Sequence, residues 1–303
     1  MEQIKNHTRL NNFIVKNLLI TIKNLDNILY QLRQNKLSIL GLIMISFFVI
    51  IALFGPYFVP YAQDAMTTSV ENRLLPPSSE HFFGTDDLGR DVFTRVILGA
   101  GVSLKIGIIA ISITMFIGIS LGAIAGYFGG WIDEIIMRIT DIFLAFPNLL
   151  LAMAIAAALK PGLTSAMLAI SLTWWPWYTR LVRGQTLQLK NQPFVYASKS
   201  MGANSLYIIV RHILPNCIGP VIVNASLDMG YIILAAASLG FIGVGAQPPT
   251  PEWGLMVSTG RKFFLDSSWM AIFPGMAIFF TVLGFNLLGD GLRDIFDPQS
   301  RLR

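Results

Sequence analysis

Long uncharged apolar runs recur along this chain, and a run of about 20 such residues is what a helix needs to cross the hydrocarbon core of a bilayer. The cleanest extends from Leu37 to Val59 without one Asp, Glu, Lys or Arg. A helix closes its backbone hydrogen bonds within the segment, as lipid demands, so an all-α integral membrane protein is expected. Composition agrees, because 54% of the 303 residues are hydrophobic and 13% charged, which excludes an ordinary soluble domain. One multi-helix membrane domain accounts for the length better than two soluble ones.

Further runs at 106–128, 132–159, 163–179, 217–237 and 269–289 bring the expected count to six spans. The first is closed by Pro56 and Pro60, and Lys160-Pro161-Gly162 makes a tight turn between the third and fourth. Asp133, Glu134, Arg138 and Asp141 mark the cytoplasmic end of the third. Trp174, Trp175, Trp177 and Tyr178 near the inner end of the fourth suit a headgroup boundary. Residues 13–32 place Ile14, Leu18, Ile22, Leu25, Leu29 and Leu32 at helical spacing, an amphipathic helix too polar to span. It is expected to lie at the interface or to pack on a partner subunit. About 36 mixed polar residues precede the first run, which is not a signal-peptide layout, so a retained anchor is expected.

Charge sets the expected orientation. Residues 180–211 hold Arg180, Arg183, Lys190, Lys199 and Arg211 with no acidic residue, and the N-terminal segment is also basic, which places both in the cytoplasm. The expected organisation is a cytoplasmic or interfacial segment at 1–36, a first span at 37–59 and an extracytoplasmic segment at 60–96. A transmembrane core follows at 97–291 with a cytoplasmic loop at 180–216, then a cytoplasmic tail at 292–303. The net charge of +5 is scattered between apolar runs, which argues against nucleic acid. Cys217 is alone, and His7, His81 and His212 are far apart, so neither a metal site nor a disulfide framework is supported. The absence of a phosphate-binding Gly-Lys-Ser/Thr loop, a nucleophile elbow and a HExxH pair argues against an enzyme and against a bound cofactor.

Four motifs remain. Tyr196-Ala-Ser-Lys-Ser-Met-Gly202, followed by His212-Ile-Leu-Pro215, resembles the Glu-Ala-Ala loop of ABC importer permeases. Ala197, Gly202, Leu214 and Pro215 stand at the family's positions, while Tyr196 replaces its Glu and Ser198 its second Ala. Phe83-Gly-Thr-Asp-Asp-Leu-Gly-Arg-Asp-Val-Phe93, Gly245-Ala-Gln-Pro-Pro-Thr-Pro-Glu-Trp-Gly254 with Leu239-Gly-Phe-Ile-Gly243, and Asn286-Leu-Leu-Gly-Asp-Gly-Leu-Arg-Asp294 with Asp297-Pro298 resemble signatures of one permease component. This is the C component of the dipeptide, oligopeptide and nickel ABC importers.

The resemblance implies a type I importer permease of six transmembrane helices in membrane lipid, paired with a homologous second permease. It also implies two ATP-binding subunits, an extracytoplasmic solute-binding protein and a di- or oligopeptide substrate; relatives with glutathione or nickel-chelate cargo are the alternatives. Ala197, Ser198, Gly202, Ala203, Leu214 and Pro215 would then couple the chain to its ATPase partner. A self-contained secondary transporter is the rival from another class, and it should show inverted repeats and several intramembrane charges. Asp228 is the one acidic residue well inside a span. Burying it there costs about 2.5 kcal/mol or more without polar surroundings, so it is expected to face the pathway, and a peptide's amino group, or to pair with another span. Gly84, Asp86, Gly89, Arg90 and Asp91 read as a carboxylate-capped turn with an internal Arg-Asp pair.

Overall fold

The computed structural model describes residues 35–59, 65 and 67–296. The amphipathic segment at 13–32 and the chain beyond 296 lie outside the described residues, whose regular elements are all helices. They are α1 (Lys36–Phe58), α2 (Val92–Phe128), α3 (Gly130–Leu144), α4 (Asn148–Ala158), α5 (Leu163–Leu189), α6 (Pro193–Ser200), α7 (Ser205–Ile208), α8 (Leu214–Ile242), α9 (Trp253–Arg261) and α10 (Trp269–Phe296). A single π turn at Ile209–Ile213 joins α7 to α8. Its cause is local, because Pro215 has no N–H to give the Arg211 carbonyl and the turn before it widens.

By length and apolarity α1, α2, α7 with α8, and α10 each suffice to cross a membrane, and α3 with α4, bent by 90°, qualifies as a broken fifth span. The bend falls at Phe146-Pro147, where proline forces the preceding residue out of helical geometry. Packing supplies the direction of each helix. The Ser171 hydroxyl donates to the Ala110 carbonyl at 3.2 Å and Lys190 Nζ to the Gly126 carbonyl at 2.9 Å, so α5 runs parallel to α2. The bent pair therefore leads from the far end of α2 back to the near end of α5, and α5 crosses in its turn. It is less apolar than the others because Ser, Thr and the Trp174–Tyr178 cluster, as well as Arg180 and Arg183, interrupt its apolar residues.

α8 runs back along α5, with Asp228 beside Tyr178 and Cys217 beside Thr186. α10 is antiparallel to α8, since Gly230 meets Val282 and Gly289 meets Leu227. α1 is antiparallel to α10, with Gly41 against Gly284 and Asn35 Nδ2 donating to Asp294 Oδ2 at 3.3 Å. Six passes result. The start of α1, the ends of α2, α5 and α10, and the 190–213 segment all lie at one end of the bundle.

The helix limits differ most from the sequence expectation in α2 and α5, while α8 and α10 also run past the expected 217–237 and 269–289, α10 into the expected tail. α2 begins at Val92 instead of 106 and has 37 residues, about 55 Å of helix, longer than a hydrocarbon core. α5 continues to Leu189, past the expected end at 179, which shortens the connecting loop to 190–213. The aromatic cluster accordingly sits in mid-helix, with Trp175 and Tyr178 buried and Trp177 exposed. The physical reason is charge pairing: Arg180 reaches Asp141 at 2.6 Å, and the Arg183 guanidinium grips both oxygens of Asp133. Arg, Leu and Gln are also good helix formers, so the helix continues past the apolar stretch.

The tightest seam is between α2 and α5. Gly118, Gly122 and Gly126 lie one turn apart on α2, and a Cβ on any of them would collide with α5, at Trp175 O (2.8 Å), Thr179 O (2.6 Å) or Thr186 Cβ (2.7 Å). Small residues at this spacing let two membrane helices approach backbone to backbone.

Candidate functional site

The 190–213 segment presents the first site. α6 is started by Pro193, which suits a first helical turn, and ended by Met201 with Gly202 beyond it at φ +84. Gly202 N–H donates to the Lys199 carbonyl at 3.0 Å and Ala203 N–H to the Ser198 carbonyl at 3.2 Å, which closes the helix end. Val195 and Ser198 turn inward, at 3% exposure each, and seat α6 on the bundle. Asn204 caps α7 by accepting from Tyr207 N–H at 2.8 Å, and the His212 ring sits edge to face on Tyr207.

The opposite face is open. Phe194, Tyr196, Met201, Leu206, Tyr207 and Val210 are all exposed, Met201 to 82%. Of the residues singled out from sequence, Ala197, Gly202 and Pro215 are exposed, Ala203 and Leu214 half-buried, and Ser198 buried. Ala197, Gly202 and Ala203 share the short-helix platform, whereas Leu214 and Pro215 open α8 beyond the π turn. Lys190, Lys199 and Arg211 lie in the same segment without an acidic residue. Exposed apolar side chains interspersed with cations are the form of a docking face for another protein.

The second site lies near the middle of α5 and α8. Tyr178 donates from its hydroxyl to Asp228 Oδ2 at 2.7 Å, and the Trp174 indole is a second hydrogen-bond neighbour. A cavity of about 360 Å³ opens beside the carboxylate, lined by Trp177, Tyr178, Arg180, Leu181, Asn224 and Asp228. Sequence reasoning singled out Asp228 and missed Tyr178, Arg180 and Asn224 as its company. Asn224 was within reach, one turn before Asp228 on the same face. Tyr178 and Arg180 are on another helix, and no spacing rule connects them.

At the far end of the bundle, residues 67–91 and 243–268 interlock. Asp86 Oδ1 accepts from Leu88 and Arg90 N–H at 2.9 and 3.0 Å, and its Oδ2 accepts from Arg90 Nε at 2.7 Å. The structure thus shows the capped turn with its internal pair. Asp91 caps α2 by accepting from Thr94 N–H at 2.7 Å and also holds His81 Nδ1 at 2.9 Å. Trp253 is fully buried, donating to the Val96 carbonyl at 2.9 Å, and Trp269 donates to the Thr85 carbonyl at 3.1 Å. Trp253 is therefore an internal anchor, with no surface left for a partner. Asp87 lies beside this turn, and burial, followed by the Asp86 charge, pushes its carboxyl above its ordinary pKa. No group of three or more His, Cys, Asp or Glu placed to hold a metal occurs among the described residues.

Comparison with known proteins places this geometry in context. Residues 118–302 match the family described as "Binding-protein-dependent transport system inner membrane component", and residues 25–77 match "N-terminal TM domain of oligopeptide transport permease C". The chain is 50% identical over 271 residues to the dipeptide transport system permease protein DppC of Alkalihalophilus pseudofirmus, covering 89% of this chain and 88% of that one. It is 46% identical to the probable D,D-dipeptide transport system permease protein DdpC of Escherichia coli, with 90% and 91% covered. The glutathione transport system permease protein GsiD of Pectobacterium atrosepticum is 45% identical, with 89% of each chain covered. Among solved structures, an inward-facing form of the MetNI methionine ABC transporter superposes with a TM-score of 0.53 at 18% identity, over 67% of this chain and 96% of that one.

Proposed function

The chain belongs to the binding-protein-dependent transport permeases, the membrane subunits of ABC importers, and from that premise we propose that it moves short peptides inward across the inner membrane. A homologous second permease completes the path, two ATP-binding subunits hydrolyse ATP below it, and a solute-binding protein loads it from outside. The 190–213 segment and both described chain ends face the cytoplasm, because Lys190, Lys199 and Arg211 concentrate there. Peptide cargo is supported by the relatives named for dipeptides and D,D-dipeptides. Glutathione, itself a short peptide, is the second reading, favoured by a relative of nearly equal identity.

The observation that carries the coupling role is the exposed apolar face of α6 and α7 among basic residues. Val195 and Ser198 fix α6 to the bundle, and Ala197 and Gly202 leave the outer side low enough for a partner's groove to close on the backbone. Motion of the ATPase pair would reach the spans through Ala203, Leu214 and Pro215, which connect α6 to the foot of α8. Asp228 marks the path at mid-membrane.

The test is ATP hydrolysis by the reconstituted complex, with and without loaded binding protein, in wild type, Gly202→Asp and Gly202→Asn. Both side chains tolerate positive φ better than most, and no atom lies within 4 Å of the position a Cβ would take. The fold should therefore survive, and only the acidic change sets a like charge or a desolvation cost against the partner. Stimulation lost in Gly202→Asp and kept in Gly202→Asn, in an intact complex, is the expected result. Equal stimulation in all three would remove the coupling role.

A further inference from the structure

We propose that the cavity between α5 and α8 is a mid-membrane checkpoint for a zwitterion, in which Asp228 receives the ammonium end of a short peptide and Arg180 its carboxylate end. The proposal rests on the peptide-import reading above and adds a recognition step within the membrane. A carboxylate and a guanidinium line the same space of about 360 Å³, together with Asn224 and the exposed Trp177. That volume is in the range of small-ligand sites.

Both charged groups retain unused binding capacity. Asp228 accepts from neutral donors, and no Lys, Arg or His lies within ion-pair distance of it among the described residues. An intramembrane carboxylate in that condition lacks one thing, a cation. Arg180 gives a single N–H to Asp141, at 2.6 Å, and its side chain is 48% exposed, so four of its five N–H groups remain for a ligand. Opposite charges at one cavity also discriminate. A bare anion meets the Asp228 charge, whereas a dipolar ligand offers an ammonium to Asp228 and a carboxylate to the N–H groups that Arg180 does not give to Asp141. Neighbouring lining residues suit a peptide body, with Trp177 and Leu181 offering apolar faces and Asn224 an amide.

The experiment measures labelled dipeptide uptake and ATP hydrolysis in parallel, in proteoliposomes holding the complete complex and saturating loaded binding protein. Asp228→Asn should assemble and keep its ATPase stimulation within about twofold, while peptide moved per ATP falls about tenfold or more. Asp228→Glu should recover part of the loss. Arg180→Gln should lower transport per ATP in the same way and Arg180→Lys should restore some of it. Uptake per ATP unchanged in Asp228→Asn would overturn the proposal, as would loss of stimulation and uptake together, which would make Asp228 part of the packing. Absence of ATP-driven dipeptide uptake in the wild type would instead sink the import reading itself.

Discussion

Asp86 and Asp87 are adjacent in the chain and opposite in circumstance. Asp86 spends its oxygens on two backbone N–H groups and Arg90, while Asp87 Oδ1 is buried with no hydrogen-bond partner among the described residues. Because Asp87 holds its proton more tightly folded than unfolded, the stability it contributes is present below the ordinary carboxylate pKa of about 3.9 and is lost as pH rises through the raised value. Asp87→Asn should therefore raise the melting temperature of the purified complex at neutral pH, by on the order of 1 °C, with the gain fading as the pH falls toward 4. Thermal unfolding across that pH range checks it, and a gain that persists at low pH would contradict the sign. Sequence identified the Asp86 turn, since capping follows from short-range spacing. It could not separate the two carboxylates, because which one is desolvated depends on the chain that folds over the turn.

Among the elements, α5 shows most plainly how a neighbour changes the reading of a segment. Its charges suggested the end of a span near 179, whereas the structure carries the helix on to Leu189, with Asp133 and Asp141 projecting from α3 to meet Arg183 and Arg180. The Gly118, Gly122 and Gly126 ridge that receives α5 is a spacing of four in the sequence, which does not say what packs on it. Gly122→Leu should push α2 and α5 apart, since even a Cβ there lies 2.6 Å from the Thr179 carbonyl and 2.9 Å from Val182 Cβ. Loss of the assembled complex on size-exclusion chromatography is the expected outcome. Gly101→Ala, in the same helix with its nearest neighbour at 3.5 Å, should be tolerated or stabilise by up to about 1 kcal/mol. If both variants behave alike, the ridge is not what sets the seam.

For the molecule as a whole, six passes bring Asn35, the 190–213 segment and Asp294 to one face and the interlocked 67–91 and 243–268 segments to the other. Impermeant maleimide applied to intact cells should label Ser79→Cys and leave Lys199→Cys unlabelled until the membrane is opened. Native Cys217 is buried and should add no background. Labelling of Lys199→Cys in intact cells would invert the topology. The sequence by itself determined the solvent, the helical class, the number of passes and the basic face, because apolar run length and charge asymmetry are local properties that a bilayer reads directly. The tertiary structure alone decided where α2 and α5 end, that Trp253 is an internal anchor, and that Asp228, Tyr178 and Arg180 border one cavity. Those depend on which helices lie parallel and how closely they pack, and such pairings join residues tens of positions apart that no local pattern connects.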